Sequence, residues 1–253
     1  FMRIIDLETI NQAMNNETQF VLRCEEVFHD KVSSAAAAVL SAGRERRIVA
    51  LTGPSGSGKT TTAMRLRDNV DLLVSCIGRL LDGEQVDIPW YDFKTGTTGG
   101  YKPMQGDKDC IVIAEGIHML NPLIFDKIRG AATGIYVAPR TRILTNKDRV
   151  VRPEQLRVAR RLIRDYNTRG HSLRETVERA ESVNAGEVNY IRPFKSNAAI
   201  HIDSFHDYEP CILAKCLSEI PNFCEALTPE YMKEHDLTDL IDVVSTVPPL
   251  HTP

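Results

Sequence analysis

Short apolar runs alternate with longer amphipathic stretches along this chain, and the alternation predicts its elements. Four runs read as buried strands: Arg47 to Thr52, Cys110 to Ala114, Gly134 to Ala138 and Ala198 to Ile202. Between them the apolar period lengthens to that of a helix. Residues 19–42 carry Phe20, Val21, Val27, Phe28, Val32 and the run from Ala35 to Val39, and stop at Gly43. Leu72 to Leu81 is a shorter helix ended by Gly83. Pro153 opens a helix over 154–167, and Ser172 caps another at 173–185 with Glu175 in the capping-box position. Pro210 starts a helix that runs to about 219. Residues 7–16 are a polar helix or arm, Glu84 to Ile88 a short extended piece, and residues 94–107 a loop. The tail at 247–253 is frayed or docked without regular structure. Apolar strands separated by helices predict an α/β fold with a parallel sheet, whose ligands gather beyond the carboxyl ends of the strands.

The candidate chemistry sits at two such strand ends. Directly after the first strand comes Gly53-Pro54-Ser55-Gly56-Ser57-Gly58-Lys59-Thr60, which fits G-x-x-x-x-G-K-[ST], the phosphate-binding loop. Thr61 to Leu66 then reads as a helix start, the context the motif requires. Glycines let successive backbone N–H groups turn inward around a phosphate, and the helix N-terminus adds partial positive charge. Lys59 reaches the β- and γ-phosphates, and the Thr60 hydroxyl holds Mg²⁺. The second strand ends in Glu115-Gly116, where a carboxylate serves a metal ion or its water shell.

Composition narrows the class. The chain has 253 residues, enough for one large domain or two small ones, and its 42% hydrophobic content is ordinary for a globular protein. It has neither a membrane-length apolar run nor an opening signal-peptide run. Its six cysteines form no C-x-x-C pair and read as free thiols in a reducing compartment, so the expected location is the cytoplasm. The net charge of −3 conceals an asymmetry, because residues 140–174 hold eleven Lys/Arg against three acids. Concentrated positive charge in an acidic chain favours a local anionic ligand over a nucleic-acid coat. Within 154–166, Arg157, Arg160, Arg161 and Arg164 recur at spacings of three and four, opposite the apolar stripe of Leu156, Ala159, Leu162, Ile163 and Tyr166. Arg169 follows just beyond. An arginine-lined helical lid would place fixed charge on a transferring phosphate and exclude water. The plainer alternative is a solvated helix with intrahelical pairs such as Arg161 with Asp165.

Together these anchors resemble the uridine kinase / phosphoribulokinase family of P-loop kinases over roughly residues 45–220. The matching stretches are Gly53 to Thr61, Ile88 to Gly96 with its Pro-Trp-Tyr-Asp-Phe, Ile111 to His118 with Asn121-Pro122, and Arg160 to Tyr166 with Thr168-Arg169-Gly170. The resemblance implies Mg-ATP-dependent phosphorylation of a nucleoside 5′-hydroxyl, uridine or cytidine being usual, in a homo-oligomer with no nucleic-acid or membrane partner. It gives Tyr91 the nucleoside base, turns Arg161 toward the substrate, and assigns Arg164 and Arg169 to ATP phosphates and catalysis together with Lys59. Nucleotide binding falls to Gly53, Ser55, Gly56, Ser57, Gly58, Lys59, Thr60 and Thr61, and metal binding to Thr60 and Glu115. His118 matches no catalytic position and reads as a structural histidine. The expected layout is a helical arm at 1–44, a kinase core at 45–220 with the Arg-rich lid around 153–185, and a C-terminal helix and tail at 221–253.

Two departures limit the assignment. The family carries a histidine shortly after Tyr-Asp-Phe that helps read the base, whereas Lys94-Thr95-Gly96 has none here. The family also has a strand after the phosphate-loop helix that ends in an acidic pair including the general base. Here Arg67-Asp68-Asn69-Val70 runs almost directly into Asp71-Leu72-Leu73. Either the chain lacks that strand or residues belonging near 68–71 are left out of the sequence, and none of Asp68, Asp71 or Asp92 is identified as the base. The alternatives are therefore a same-family kinase for another small alcohol (a sugar phosphate, pantothenate or glycerate) and a regulatory protein that binds ATP without transferring phosphate.

Overall fold

The computed structural model describes residues 3–43, 45–54, 66–92 and 97–251. In chain order the strands are β1 (Ile4–Asp6), β2 (Ile48–Thr52), β3 (Gln85–Asp92), β4 (Thr97–Gln105), β5 (Val112–Glu115), β6 (Ala132–Ala138), β7 (Arg142–Leu144), β8 (Val150–Val151) and β9 (Ile200–Asp203). The helices are α1 (Leu7–Ala13), α2 (Glu17–Ser41), α3 (Leu66–Leu81), α4 (Pro122–Ile128), α5 (Pro153–Arg164), α6 (Leu173–Tyr190), α7 (Glu209–Ser218), α8 (Phe223–Ala226), α9 (Pro229–Glu234) and α10 (Thr238–Thr246). The chain forms two compact units, one from Ser34–Val137 with Ala185–Ile202, the other from Phe1–Ser33, Ala138–Asn184 and Asp203–Pro253.

The first unit is a parallel α/β layer. β2 lies between β5 and β6 and runs parallel to both, with β9 beyond β6, so the four apolar runs of the sequence become one sheet in the order β5-β2-β6-β9. A central strand is covered on both faces, which is why Ile48, Val49 and Ala50 are all buried and read as a continuous apolar run. Gly134 on β6 is required by close approach: a Cβ there would stand 2.7 Å from both the Asn197 carbonyl oxygen and a Leu120 methyl. Asn121 caps α4 by accepting from the Leu123 N–H, and Pro122 takes the first helical position.

Among the described residues β5 lies at the edge of this sheet. Val112 packs with the small cluster of Cys76 and Leu80 from α3 and Val86 from β3. The alternate residues Ile111 and Ile113 face outward and are exposed, Ile113 to 68%. α3 runs unbroken through 68–71, and among the described residues no strand separates it from β2.

The expected loop at 94–107 is corrected by β4, which pairs antiparallel with β3 from Gln85↔Gln105 to Asp92↔Thr97, with an irregularity at Trp90/Tyr91. The backbone of β3 supplies the partner. The side chains from Tyr101 to Gln105 are exposed, so no apolar alternation marks this strand in the sequence.

The second unit packs helices around a three-stranded sheet, β1-β7-β8, in which β1 is parallel to β7 and β7 antiparallel to β8. Its core joins Ile10 of α1, Ile143 of β7, Leu156 and Leu162 of α5, Cys211 of α7 and Leu240 of α10. The tail docks: Val247 and Leu250 are buried, and the Leu250 N–H donates to the Cys211 carbonyl at 3.2 Å. Ser172 and Glu175 form the expected capping box at the start of α6, the Ser172 N–H donating to Glu175 Oε2 at 2.8 Å and the Glu175 N–H to Ser172 Oγ at 3.3 Å.

These environments predict opposite responses to substitution. Leu240→Ala empties a fully buried site and should cost about 2–5 kcal/mol. Ile113→Thr, on an exposed face, should change stability by less than about 0.5 kcal/mol. Urea melts of the two variants check this, and equal losses would contradict the burial pattern.

Candidate active site

In the first unit the site is built where β2 ends. Leu51 and Glu115 are register partners, the Gly116 N–H donates to the Leu51 carbonyl at 3.1 Å, and the buried Thr52 hydroxyl donates to the Gly116 carbonyl. These bonds fix Glu115-Gly116 beside Gly53-Pro54, the entry to the phosphate-loop motif. Gly53 itself lies against β6, where a Cβ would meet the Val137 carbonyl oxygen at 2.0 Å. A side chain there is excluded by backbone, so this first glycine of the motif has a packing reason of its own. Glu115 is exposed. No cluster of three or more His, Cys, Asp or Glu that could hold a metal occurs among the described residues. A lone carboxylate beside a phosphate loop suits Mg²⁺, which takes one or two protein carboxylates and draws other ligands from water and phosphate.

Ser55, Gly56, Ser57, Gly58, Lys59, Thr60 and Thr61 lie outside the described residues. Tyr91 stands on β3 opposite Thr98. His118 follows the strand end, with its Nδ1 buried and without a hydrogen-bond partner among the described residues. Burial pushes its imidazole below the ordinary histidine range.

In the second unit the structure separates the arginines of α5 and the turn after it. Arg157 and Arg161 are buried, with the Arg161 Nε donating to the Arg157 carbonyl at 3.1 Å. α5 is therefore enclosed more fully than a two-faced helix. Arg160 is committed to structure: it grips the buried Glu209 of α7 through Nε at 2.5 Å and Nη2 at 2.7 Å, and Nη2 also donates to the Ser204 carbonyl at 3.0 Å. Arg164 and Arg169 both turn to Asp165. The five residues Asp165–Arg169 form a π-helical turn closed by Gly170 at φ +67°. Elsewhere the positive charge of 140–174 meets acids of the C-terminal segment, Arg149 pairing with Asp239 and Asp242 of α10, and Arg152 with Asp236 in the turn before it.

With this geometry in place, similarity to known proteins decides the family. The model of the phosphoribulokinase / uridine kinase family matches residues 67–209. The chain belongs to this family. The phosphate-loop motif lies N-terminal to the matched stretch. Among curated relatives, the inorganic pyrophosphatase TTM1 of Arabidopsis thaliana is 26% identical over 217 residues, covering 74% of this chain and 31% of that protein. A uridine kinase of Geobacillus sp. (strain WCH70) is 27% identical over 199 residues, covering 63% of this chain and 87% of that protein. Uridine kinase-like protein 5 of Arabidopsis thaliana is 30% identical over 146 residues, 57% of this chain and 28% of that protein. The chain thus spans under a third of TTM1 but matches most of the bacterial kinase. Membership of the phosphoribulokinase / uridine kinase family suggests ATP-dependent phosphoryl transfer to a small alcohol. No described helix is long and apolar enough to cross a membrane.

Sequence reasoning did not find Glu209 or the part played by Asp165. An acid at i+1 and i+4 from arginines was a visible signal for Asp165. Nothing in the sequence linked Arg160 to a carboxylate 49 positions away.

The ion pairs predict a division among the arginines. Arg160→Met leaves Glu209 buried and unpaired and should lower stability by about 1–3 kcal/mol with little change in ATP affinity. Thermal melts and ATP titration check this, and an affinity loss without destabilisation would place Arg160 in the ligand site. For His118 the unfolded chain binds the extra proton first, so its contribution is lost as pH falls through the ordinary histidine range near 6.5. His118→Phe should flatten stability on that acid side. An unchanged pH profile in melts between pH 7 and 5 would contradict the buried neutral ring.

Proposed function

We propose that this chain is a nucleoside kinase that transfers the γ-phosphoryl group of Mg-ATP to the 5′-hydroxyl of a nucleoside, uridine or cytidine. Membership of the phosphoribulokinase / uridine kinase family carries the reading, supported by the bacterial uridine kinase matched over most of its length. In this reading the loop from Gly53, Ser55, Gly56, Ser57 and Gly58 to Thr61 wraps the ATP phosphates, with Lys59 on the β- and γ-oxygens. Thr60 and Glu115 hold the Mg²⁺, which would neutralise phosphate charge when bound. Tyr91 contacts the base, Arg161 faces the nucleoside, and Arg164 and Arg169 take the phosphates as charge develops in transfer.

Such a site works mainly by position and charge. Phosphoryl transfer passes through a loose transition state with little covalent chemistry for protein groups. The arginines and Lys59 matter most in that account, and a general base adds a smaller factor. One observation favours a second reading, an ATP-binding regulator without transfer: α3 runs through 68–71, where the family places the base-bearing strand. A kinase of the same family for a sugar phosphate, pantothenate or glycerate remains the nearer alternative.

ADP release measured across a panel of nucleosides and these other alcohols separates the three. Uridine or cytidine should stimulate it. Stimulation by another alcohol alone would replace the nucleoside, and ATP binding with no stimulating acceptor would favour the regulator. Lys59→Ala should reduce turnover on the order of 100-fold or more, because charge on the β- and γ-phosphates is lost. Turnover like that of the parent chain would refute the phosphate-loop assignment.

A further inference from the structure

The apolar strand β2 ends in a polar residue, and that residue reaches the neighbouring strand with its side chain. Thr52 is buried together with Ile48, Val49 and Ala50. Burying a hydroxyl costs free energy unless it finds a hydrogen-bond partner. Thr52 finds one across the sheet, where its hydroxyl donates to the Gly116 carbonyl just past the end of β5. The backbone ladder between β2 and β5 runs from Ile48↔Val112 to Leu51↔Glu115 and ends there. One residue further on, the Thr52 side chain carries the pairing past the ladder.

The consequence falls on Glu115. The Gly116 N–H donates to the Leu51 carbonyl at 3.1 Å, which fixes the peptide joining Glu115 to Gly116. The Thr52 bond fixes the next peptide, joining Gly116 to Ile117. Glycine is the residue most free to turn about its own φ and ψ, and here both of its peptides are tied to β2. Thr52 is itself held from the other side, where its register partner is Tyr136 of β6. Its β-branch leaves χ1 little freedom. Glu115 is exposed among the described residues, so the backbone beneath it sets its direction more than packing does.

We propose that Thr52 is a positioning residue whose hydroxyl holds Gly116 and thereby fixes the Glu115 carboxylate for the Mg²⁺ that accompanies ATP. This role rests on the reading of Glu115 as a metal-site residue and adds to it what holds the carboxylate before ligand arrives. Mg²⁺ demands near-ideal ligand geometry, so a carboxylate whose backbone can swing holds it less well. Groups that orient a metal ligand from behind are for this reason felt in metal affinity.

The test is equilibrium binding of ATP to the full chain, with Mg²⁺ in excess and again in EDTA, with thermal melts run alongside. The ratio of the two dissociation constants measures metal dependence. Thr52→Val keeps the shape of the side chain and removes the donor. It should reduce metal dependence about 10-fold while changing binding in EDTA by less than about twofold. Thr52→Ser keeps the donor and should stay within about threefold of the parent chain. In a Glu115→Gln background, Thr52→Val should add no more than about twofold, because Thr52 acts through Glu115. A merely structural role lowers the melting temperature and weakens binding equally with and without Mg²⁺. Equal weakening, unchanged metal dependence in Thr52→Val, additive losses with Glu115→Gln, or a Thr52→Ser variant that behaves like Thr52→Val would each overturn the proposal. Where Thr52→Val does not fold, Thr52→Cys takes its place, offering only a weak donor, and must show the same selective loss. Metal dependence that survives Glu115→Gln defeats the metal reading of Glu115 itself. Metal dependence lost in Glu115→Gln but kept in Thr52→Val leaves that reading standing and removes only the role of Thr52.

Discussion

The parallel pairing of β2 with both β5 and β6 is the constraint on which the first unit depends. It leaves β2 with no free edge and buries Ile48 to Ala50. Its register places Leu51 beside Glu115, and the bonds from Gly116 and Thr52 lock the two strand ends together. The Val137 backbone of β6 then leaves no room for any residue but glycine at 53. A carboxylate and the mouth of a phosphate-loop motif are thus neighbours as a consequence of strand register. A slip by one residue would turn every side chain of β5 to the opposite face.

Buried charge shapes the second unit as apolar packing shapes the first. α5 could not sink into its core carrying so many free guanidiniums, since each unpaired buried cation costs several kcal/mol. Glu209 answers Arg160, Asp165 answers Arg164 and Arg169, and Asp236, Asp239 and Asp242 answer the arginines before the helix. The basic stretch of an acidic chain is therefore mostly matched from within. That is a physical argument against a broad polyanion surface on this stretch.

The legible parts of the sequence were those whose pattern is local. Each of the four sheet strands announced itself as an apolar run, and Pro153, Ser172 with Glu175, and Pro210 marked helix starts that the structure keeps within a residue or two. The parts that stayed hidden depend on partners far away in the chain. β4 has no apolar alternation and exists because β3 satisfies its backbone. β1, β7 and β8 are two or three residues each, too short for any period to show. The helices after 222 are short segments buried in a core shared with α5 and α7, and the tail docks through buried Val247 and Leu250 and through N–H groups that Leu250 and His251 donate to the Cys211 carbonyl and the Glu17 carboxylate. The arginine ladder of α5 was visible in the sequence, but its spacing did not tell which arginines pair with carboxylates inside the fold. The contacts of Glu209 with Arg160 and of Asp165 with Arg164 and Arg169 supply that distinction.

The exposed flank of β5 bears on the chemistry as well as the fold. Ile111 and Ile113 are apolar residues on an edge that a sheet protein ordinarily covers or charges. Ahead of it, α3 runs from Leu66 to Leu81 and so continues through 68–71, next to which the family resemblance expects the base-bearing strand. The reaction class determines how much this matters. A loose phosphoryl transition state draws most of its stabilisation from fixed cations rather than from a general base. The register with Leu51 sets Glu115, at the exposed end of β5, beside the entry to the phosphate-loop motif.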